Sequence, residues 1–253
     1  MPIAFTRAIP ATFAEATMDV PADPPIDVAH AREQHAVYSG VLRSLGFEVI
    51  ELAADDRFPD CCFIEDCAVV ADGIALITRS GAESRRGETS AVSSALEAQA
   101  GLSRIERLDA PATLDGGDCM RVGRRIFVGL SSRTNLAGAH RVRDVFSAFT
   151  VVPVPVAGWL HLRCVCSPLN DDRVLLAEGT IAPKTFDGLD VVMIPNSEAY
   201  AANCVAHRGA AIIADGFPET RARIMRAGIR TIAIATSEIR KADGSLTCLS
   251  IVI

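Results

Sequence analysis

The order of apolar runs repeats along this chain, and that repeat constrains the fold more than any single motif does. Runs bounded by turn residues predict strands at 62–70 and 74–78, a helix over 89–99 and a strand at 104–108. The same order returns with strands at 119–122 and 125–129, a helix over 137–149 and a strand at 151–155. A third unit has strands at 161–166 and 173–177, a short linking helix near Lys184 and a strand at 191–194. A fourth has strands at 203–206 and 210–214, a helix at 218–227 and a strand at 231–235. A fifth unit exists only if the chain ends are joined. The strand at 246–252 would then pair with 3–6, and the helix over 28–45 and the strand at 47–52 would complete it.

The first strands open at 62, 119, 161, 203 and 246, so the later steps are about 42 residues. Such periods belong to solenoids, propellers and arrays, and a unit split between the two termini favours a closed ring. The competing arrangement is one ordinary α/β sheet. With 253 residues, 49% of them apolar and 22% charged, the chain can bury a large core, and a single domain over 1–253 is expected.

A ring has a chemical consequence, because equivalent positions of its units converge on the axis. Glu65 and Asp66 lie in the first strand of unit one, and Asp115 and Asp118 just before that of unit two. His161 opens unit three, Asn203 opens unit four, and Cys248 lies in the first strand of unit five. Carboxylates, imidazole and thiol are therefore expected to share a central pocket. There Cys248 could be a nucleophile, His161 a proton carrier, and Asp115 the group that orients the imidazole. Glu65 and Asp66 could bind a cation that favours the thiolate.

Each residue also has a plainer reading. A lone cysteine in LTCLSIVI is usually packing, and a histidine between Leu160 and Leu162 is often structural. Asp115–Gly116–Gly117–Asp118 would serve as a hairpin turn. Glu65 and Asp66 would point to opposite faces of a strand, so they share a ligand only where the strand ends or bulges.

Composition removes several classes. The formal net charge is -6 and no basic run is present, which argues against nucleic acid and suits a small cationic ligand. No run is long and apolar enough to predict a membrane span, and MPIAFTRAIP lacks a signal-peptide core. The eight cysteines are then read as reduced, and the compartment as cytoplasmic. On a strand His161 would face away from Cys164 and Cys166, while Cys61, Cys62 and Cys67 lack the paired spacing of zinc sites. Glycine motifs for phosphate or dinucleotide are missing as well, so neither metal nor cofactor is expected.

Six segments carry a family resemblance: FPDCCFIEDCAVV (58–70), RSGAESRRGE (79–88), ATLDGGDCMRVGRRIFVGLSSRTN (112–135), GWLHLRCVCS (158–167), AANC (201–204) and DGSLTCLSIVI (243–253). In this order, from about Phe13 to the last residue, the chain resembles the dimethylarginine dimethylaminohydrolases. The resemblance implies a five-bladed α/β propeller of ββαβ units with pseudo-fivefold symmetry, its last blade closed by both termini. It implies Cys248 as nucleophile, His161 as general acid and base, and Asp115 as the acidic support of His161. Asp60, Glu65 and Asp66 match positions that hold the guanidinium and the amino-acid head. Arg85 and Arg133 match substrate-binding arginines, Arg133 suiting an α-carboxylate through a bidentate pair. Met18, in an N-terminal lid, and the backbone of Ala242 match further substrate contacts.

The implied reaction converts asymmetric dimethylarginine or monomethylarginine to citrulline plus dimethylamine or methylamine, through a thiouronium on Cys248 and without metal or cofactor. The implied partner is a small cationic guanidine, and blade edges offer a surface for a homodimer. Arginine deiminases, the first alternative, commonly carry an aspartate where this chain has Arg163, and they are longer. Non-enzymatic propellers that bind ribosomal subunits are the second, and they do not need Cys248, His161 and an acidic residue together.

Overall fold

A strand with a neighbour on each side and packing on both faces has to be apolar at almost every position. The chain supplies one such strand per repeat. The computed structural model describes residues 1–98 and 101–253. Strand β1 (Ile3–Arg7), helix α1 (Val28–Ser44) and strand β2 (Glu48–Leu52) come first. Next are β3 (Ala68–Ala71), β4 (Ile74–Ile77), α2 (Thr89–Glu97) and β5 (Arg104–Arg107). Then follow β6 (Cys119–Val122), β7 (Arg125–Leu130), α3 (Leu136–Val145) and β8 (Thr150–Pro155). The third unit is β9 (Cys166–Pro168), β10 (Arg173–Ala177) and β11 (Asp190–Ile194), with a single 3-10 turn, Pro183–Phe186, as its linking helix. The fourth is β12 (Val205–His207), β13 (Ala210–Ala214), α4 (Pro218–Arg226) and β14 (Arg230–Ile234); α5 (Ser237–Lys241) and β15 (Ile251–Val252) follow it.

These strands form five three-stranded sheets of one pattern. The middle strand pairs antiparallel with the first strand and parallel with the third. The antiparallel step needs only a tight turn, whereas the parallel step needs a crossover, which is where the helix goes. Asp72–Gly73 and Arg208–Gly209 make such turns with both residues at positive φ, as twisted two-residue hairpins require. The middle strands are apolar as expected, and β13 is buried along its whole length. Two helix starts are capped by a local side chain: that of Asp27 accepts from His30 N–H, and that of Asn135 from Gly138 N–H.

The fifth sheet joins the ends of the chain. β15 pairs with β1 in the register Ala4↔Val252 and Phe5↔Ile251. Ile3 and Ile253 exchange both backbone hydrogen bonds at 2.8 Å. The five-bladed α/β propeller closed by both termini is therefore the observed architecture. The helix expected over 89–99 ends at Glu97, and Gln99 lies outside the described residues. Among the described residues no helix is long and apolar enough to cross a membrane.

The first strands of the units depart from expectation. Where strands were expected at 62–70, 161–166 and 246–252, the chain makes 3-10 turns at Ile64–Cys67, Leu162–Cys164 and Thr247–Leu249 before short strands begin. The second and fourth units have equivalent turns at Gly116–Asp118 and Asn196–Ala202. The first turn touches the second and the fifth, the second touches the third, and the third touches the fourth. A 3-10 turn swings successive side chains by about 120°, so neighbours in sequence can both face the axis, which a strand forbids.

Candidate active site

His161 is the extended residue just before the third turn, and its ring lies against the second turn. Its Nε2–H donates to Asp115 Oδ2 at 3.1 Å, and Asp66 Oδ1 lies 4.0 Å from the same nitrogen. A Cβ on Gly117 would sit 2.9 Å from both His161 Nδ1 and Asp66 Oδ1. Glycine is thus the residue that lets imidazole and carboxylate close on this backbone. Burial alone would strip the proton from His161. Asp66, Asp115 and Asp118 outweigh it and raise the pKa to about 9, so the ring is an imidazolium at neutral pH.

Asp115 is fully buried and fully engaged. Its Oδ1 accepts from Gly81 N–H at 3.2 Å, and its Oδ2 accepts from His161 and from Arg133 Nη1 at 3.4 Å. Asp118 accepts from Leu162 N–H at 2.9 Å and from Ser131 Oγ–H at 2.6 Å, fastening the second turn to the third. Burial raises the Asp118 carboxyl pKa in spite of the His161 charge and these bonds.

Asp66 accepts from Gly117 N–H at 2.9 Å and from Arg85 Nη1 at 2.6 Å. Burial pushes its pKa up, but the His161 and Arg85 charges hold it below the ordinary carboxylate range. Arg85 is itself buried and bonded to Glu88 at 2.8 Å and to the Phe63 carbonyl at 3.1 Å. The expected substrate arginine is thus already tied into the wall behind Asp66. Glu65 is engaged too, with Arg163 Nη1 at 2.6 Å and Thr247 Oγ1 at 2.7 Å. Burial raises its pKa despite both partners.

Cys248 sits partly exposed in the fifth turn. Burial pushes its thiol pKa well up, and the charges of Glu65 and Asp66 add to that. The thiol is therefore protonated at neutral pH. Asn203 steadies this turn: its Oδ1 accepts from Thr247 N–H at 2.9 Å, and its Nδ2 donates to Thr247 Oγ1 and to the Arg163 carbonyl, each at 3.0 Å.

The remaining expected residues flank the cluster. Asp60 is buried and accepts from Thr17 N–H at 3.2 Å and from Thr17 Oγ–H at 3.1 Å. That pins the N-terminal segment beside Met18, which packs partly buried against Phe63 and its neighbours. Asp243, at positive φ, accepts from Asp19 N–H at 2.7 Å and holds the other side of the segment. Ala242, buried beside it, donates its N–H to the Ile239 carbonyl.

Asp66, Asp115 and His161 offer ligand atoms within 4.8 Å of one another, the spacing of a metal-binding set. In this structure those atoms are committed to His161, Arg85 and Gly117, so a cation would have to displace a proton or a guanidinium. Sequence reasoning did not pair Arg163 with Glu65, Glu88 with Arg85, or Thr247 with Asn203. The only trace was the polarity of these residues inside apolar stretches.

The family model for eukaryotic N,N dimethylarginine dimethylhydrolase matches residues 17–252. The N(G),N(G)-dimethylarginine dimethylaminohydrolase of Pseudomonas aeruginosa is 36% identical over 227 residues, covering 89% of each chain. Among solved structures, a cysteine-to-serine mutant of the Pseudomonas aeruginosa enzyme complexed with citrulline has a TM-score of 0.93 at 33% identity, covering 99% of this chain and 98% of the other. A dimethylarginine dimethylaminohydrolase with a histidine changed to glycine, as an adduct with S-methyl-L-thiocitrulline, has the same TM-score of 0.93, identity of 33% and coverages of 99% and 98%. Fold, family model and relatives agree over nearly the whole chain, which belongs to the dimethylarginine dimethylaminohydrolase family.

Proposed function

We propose that this protein hydrolyses Nω-methylated arginine to citrulline, releasing methylamine or dimethylamine, with Cys248 as nucleophile and His161 as proton carrier. The observation that carries this reading is the buried His161–Asp115 hydrogen bond of 3.1 Å. It lies in the ring of turns that also holds Asp66 and Cys248. The citrulline complex and the thiocitrulline adduct of the relatives support the same route. The five blades act as one catalytic unit over 1–253, since the first, second, third and fifth each contribute a group. Eight unpaired cysteines suit the reducing cytoplasm.

The charges suggest an order of events. A guanidinium cation settles beside Asp66, which Arg85 and Gly117 hold in place. Positive charge next to Cys248 lowers its pKa, and the thiol proton leaves to solvent. Sulfur attacks the guanidinium carbon. His161, already protonated, gives its proton to the methylated nitrogen, the C–N bond breaks and the amine departs. The neutral imidazole then takes a proton from water, whose oxygen attacks the same carbon. The C–S bond breaks, the hydroxyl proton of the intermediate passes to the departing sulfur, the thiol is restored and citrulline leaves. Asp115 keeps the ring in position throughout. We assign the substrate α-carboxylate to Arg133, which is partly exposed, and the lid to the Met18 segment, which Asp60 clamps through Thr17.

Citrulline release from arginine, monomethylarginine, asymmetric and symmetric dimethylarginine and agmatine tests the substrate class. Methylated arginine is expected to lead the panel. Cys248→Ser should abolish turnover while leaving the melting temperature nearly unchanged; substantial turnover in that variant removes Cys248 from its role.

A further inference from the structure

Glu65 is the carboxylate of the cluster gripped at both oxygens from along the propeller axis. Glu65, Arg163 and Thr247 all line a cavity of about 480 Å³. Every first strand contributes to its wall, among them through Ala71, Cys119, Pro168, Val205 and Ile251. The cavity therefore follows the ring axis, and the Arg163–Glu65 pair belongs to it. Among the described residues Arg163 Nε is buried without a hydrogen-bond partner, so the bond from Nη1 to Glu65 is what holds the guanidinium. Asn203 fixes the Arg163 backbone against Thr247, the residue next to Cys248. The titratable groups whose charges act on Cys248 are Glu65 and Asp66 from the first turn and Cys164 from the third, and Cys248 in turn acts on the phenols of Tyr38 and Tyr200.

We propose that Arg163 is a positioning residue for the nucleophile: from the axial cavity, without touching substrate, it pins Glu65 and offsets part of its charge, so that less of the opposing field reaches Cys248. This rests on Cys248 being the nucleophile. The physical argument is Coulombic. A buried carboxylate near the thiol opposes its ionisation, and an opposite charge 2.6 Å from that carboxylate offsets part of its field. Thr247 completes the restraint by fixing the second oxygen.

The test reads the thiol itself. Alkylation of Cys248 by iodoacetamide, followed at its own peptide by mass spectrometry from neutral to alkaline pH, gives the midpoint of thiolate formation without turnover. Arg163→Met should raise that midpoint by about one pH unit, which slows labelling at neutral pH roughly tenfold. Arg163→Lys should restore most of it, because it returns the charge. Glu65→Gln should lower the midpoint by about one unit, and the Glu65→Gln/Arg163→Met pair should return near wild type. A buried carboxylate left without its partner can cost the fold, so the two variants that carry Glu65→Gln keep the test alive if Arg163→Met does not fold. A midpoint that Glu65→Gln leaves unmoved overturns the proposal. So does a double variant that departs from wild type as far as a single one. Turnover surviving in Cys248→Ser would instead end the functional reading, and the two failures are separately visible.

Discussion

His161 carries its proton at neutral pH because three carboxylates outweigh its burial. Its folded pKa of about 9 stands above the ordinary 6.5, so the stability it contributes is fully present below the ordinary value and is lost as pH rises through the folded one. Asp115→Asn removes the charge that accepts the ring N–H. The His161 midpoint, followed by NMR of the ring protons, should fall by about one unit or more, and the alkaline limb of kcat/KM should move down with it. An unmoved midpoint would take Asp115 out of that role. At this scale much of the cluster was legible in the sequence, because carboxylates, imidazole and thiol stand out inside apolar runs. The partners were not. Arg163 and Glu65 are 98 positions apart, and an ion pair across that distance leaves no local pattern.

The 3-10 turn is the element that makes the site. A run of three or four residues has too little length for any periodicity to register, so polar residues flanked by apolar ones looked like interrupted strands. The regular elements were legible for the opposite reason: α1 and the buried middle strands extend their patterns over enough residues to be recognised. The turn at Gly116–Asp118 is the most constrained of the five, since a side chain at Gly117 would run into the His161 ring and Asp66 together. Gly117→Ala should therefore cut kcat by about a hundredfold, the scale of a misplacement near one ångström, with a much smaller effect on KM. If citrulline release is near wild type in that variant, the packing of the ring on this backbone is not what positions it.

The repeat, at the scale of the whole molecule, foretold the ring, because five units with one of them divided between the termini have few other ways to bury their edges. The seam between β15 and β1 is chemically the same as any other antiparallel pair in the propeller. A circular permutant with Met1 and Ile253 joined by a short glycine linker, and new ends between Asn170 and Asp171 in the exposed β9–β10 turn, should fold and release citrulline. Circular dichroism and the citrulline assay check this, and a permutant that cannot fold would mean that the natural seam is special. The stretch from Leu246 to Ile253 both delivers the sulfur and latches the last blade. Everything before it forms four complete sheets and carries the proposed acid–base pair, yet not the proposed nucleophile. On the proposed mechanism, one proteolytic clip there would silence the chemistry and open the ring together.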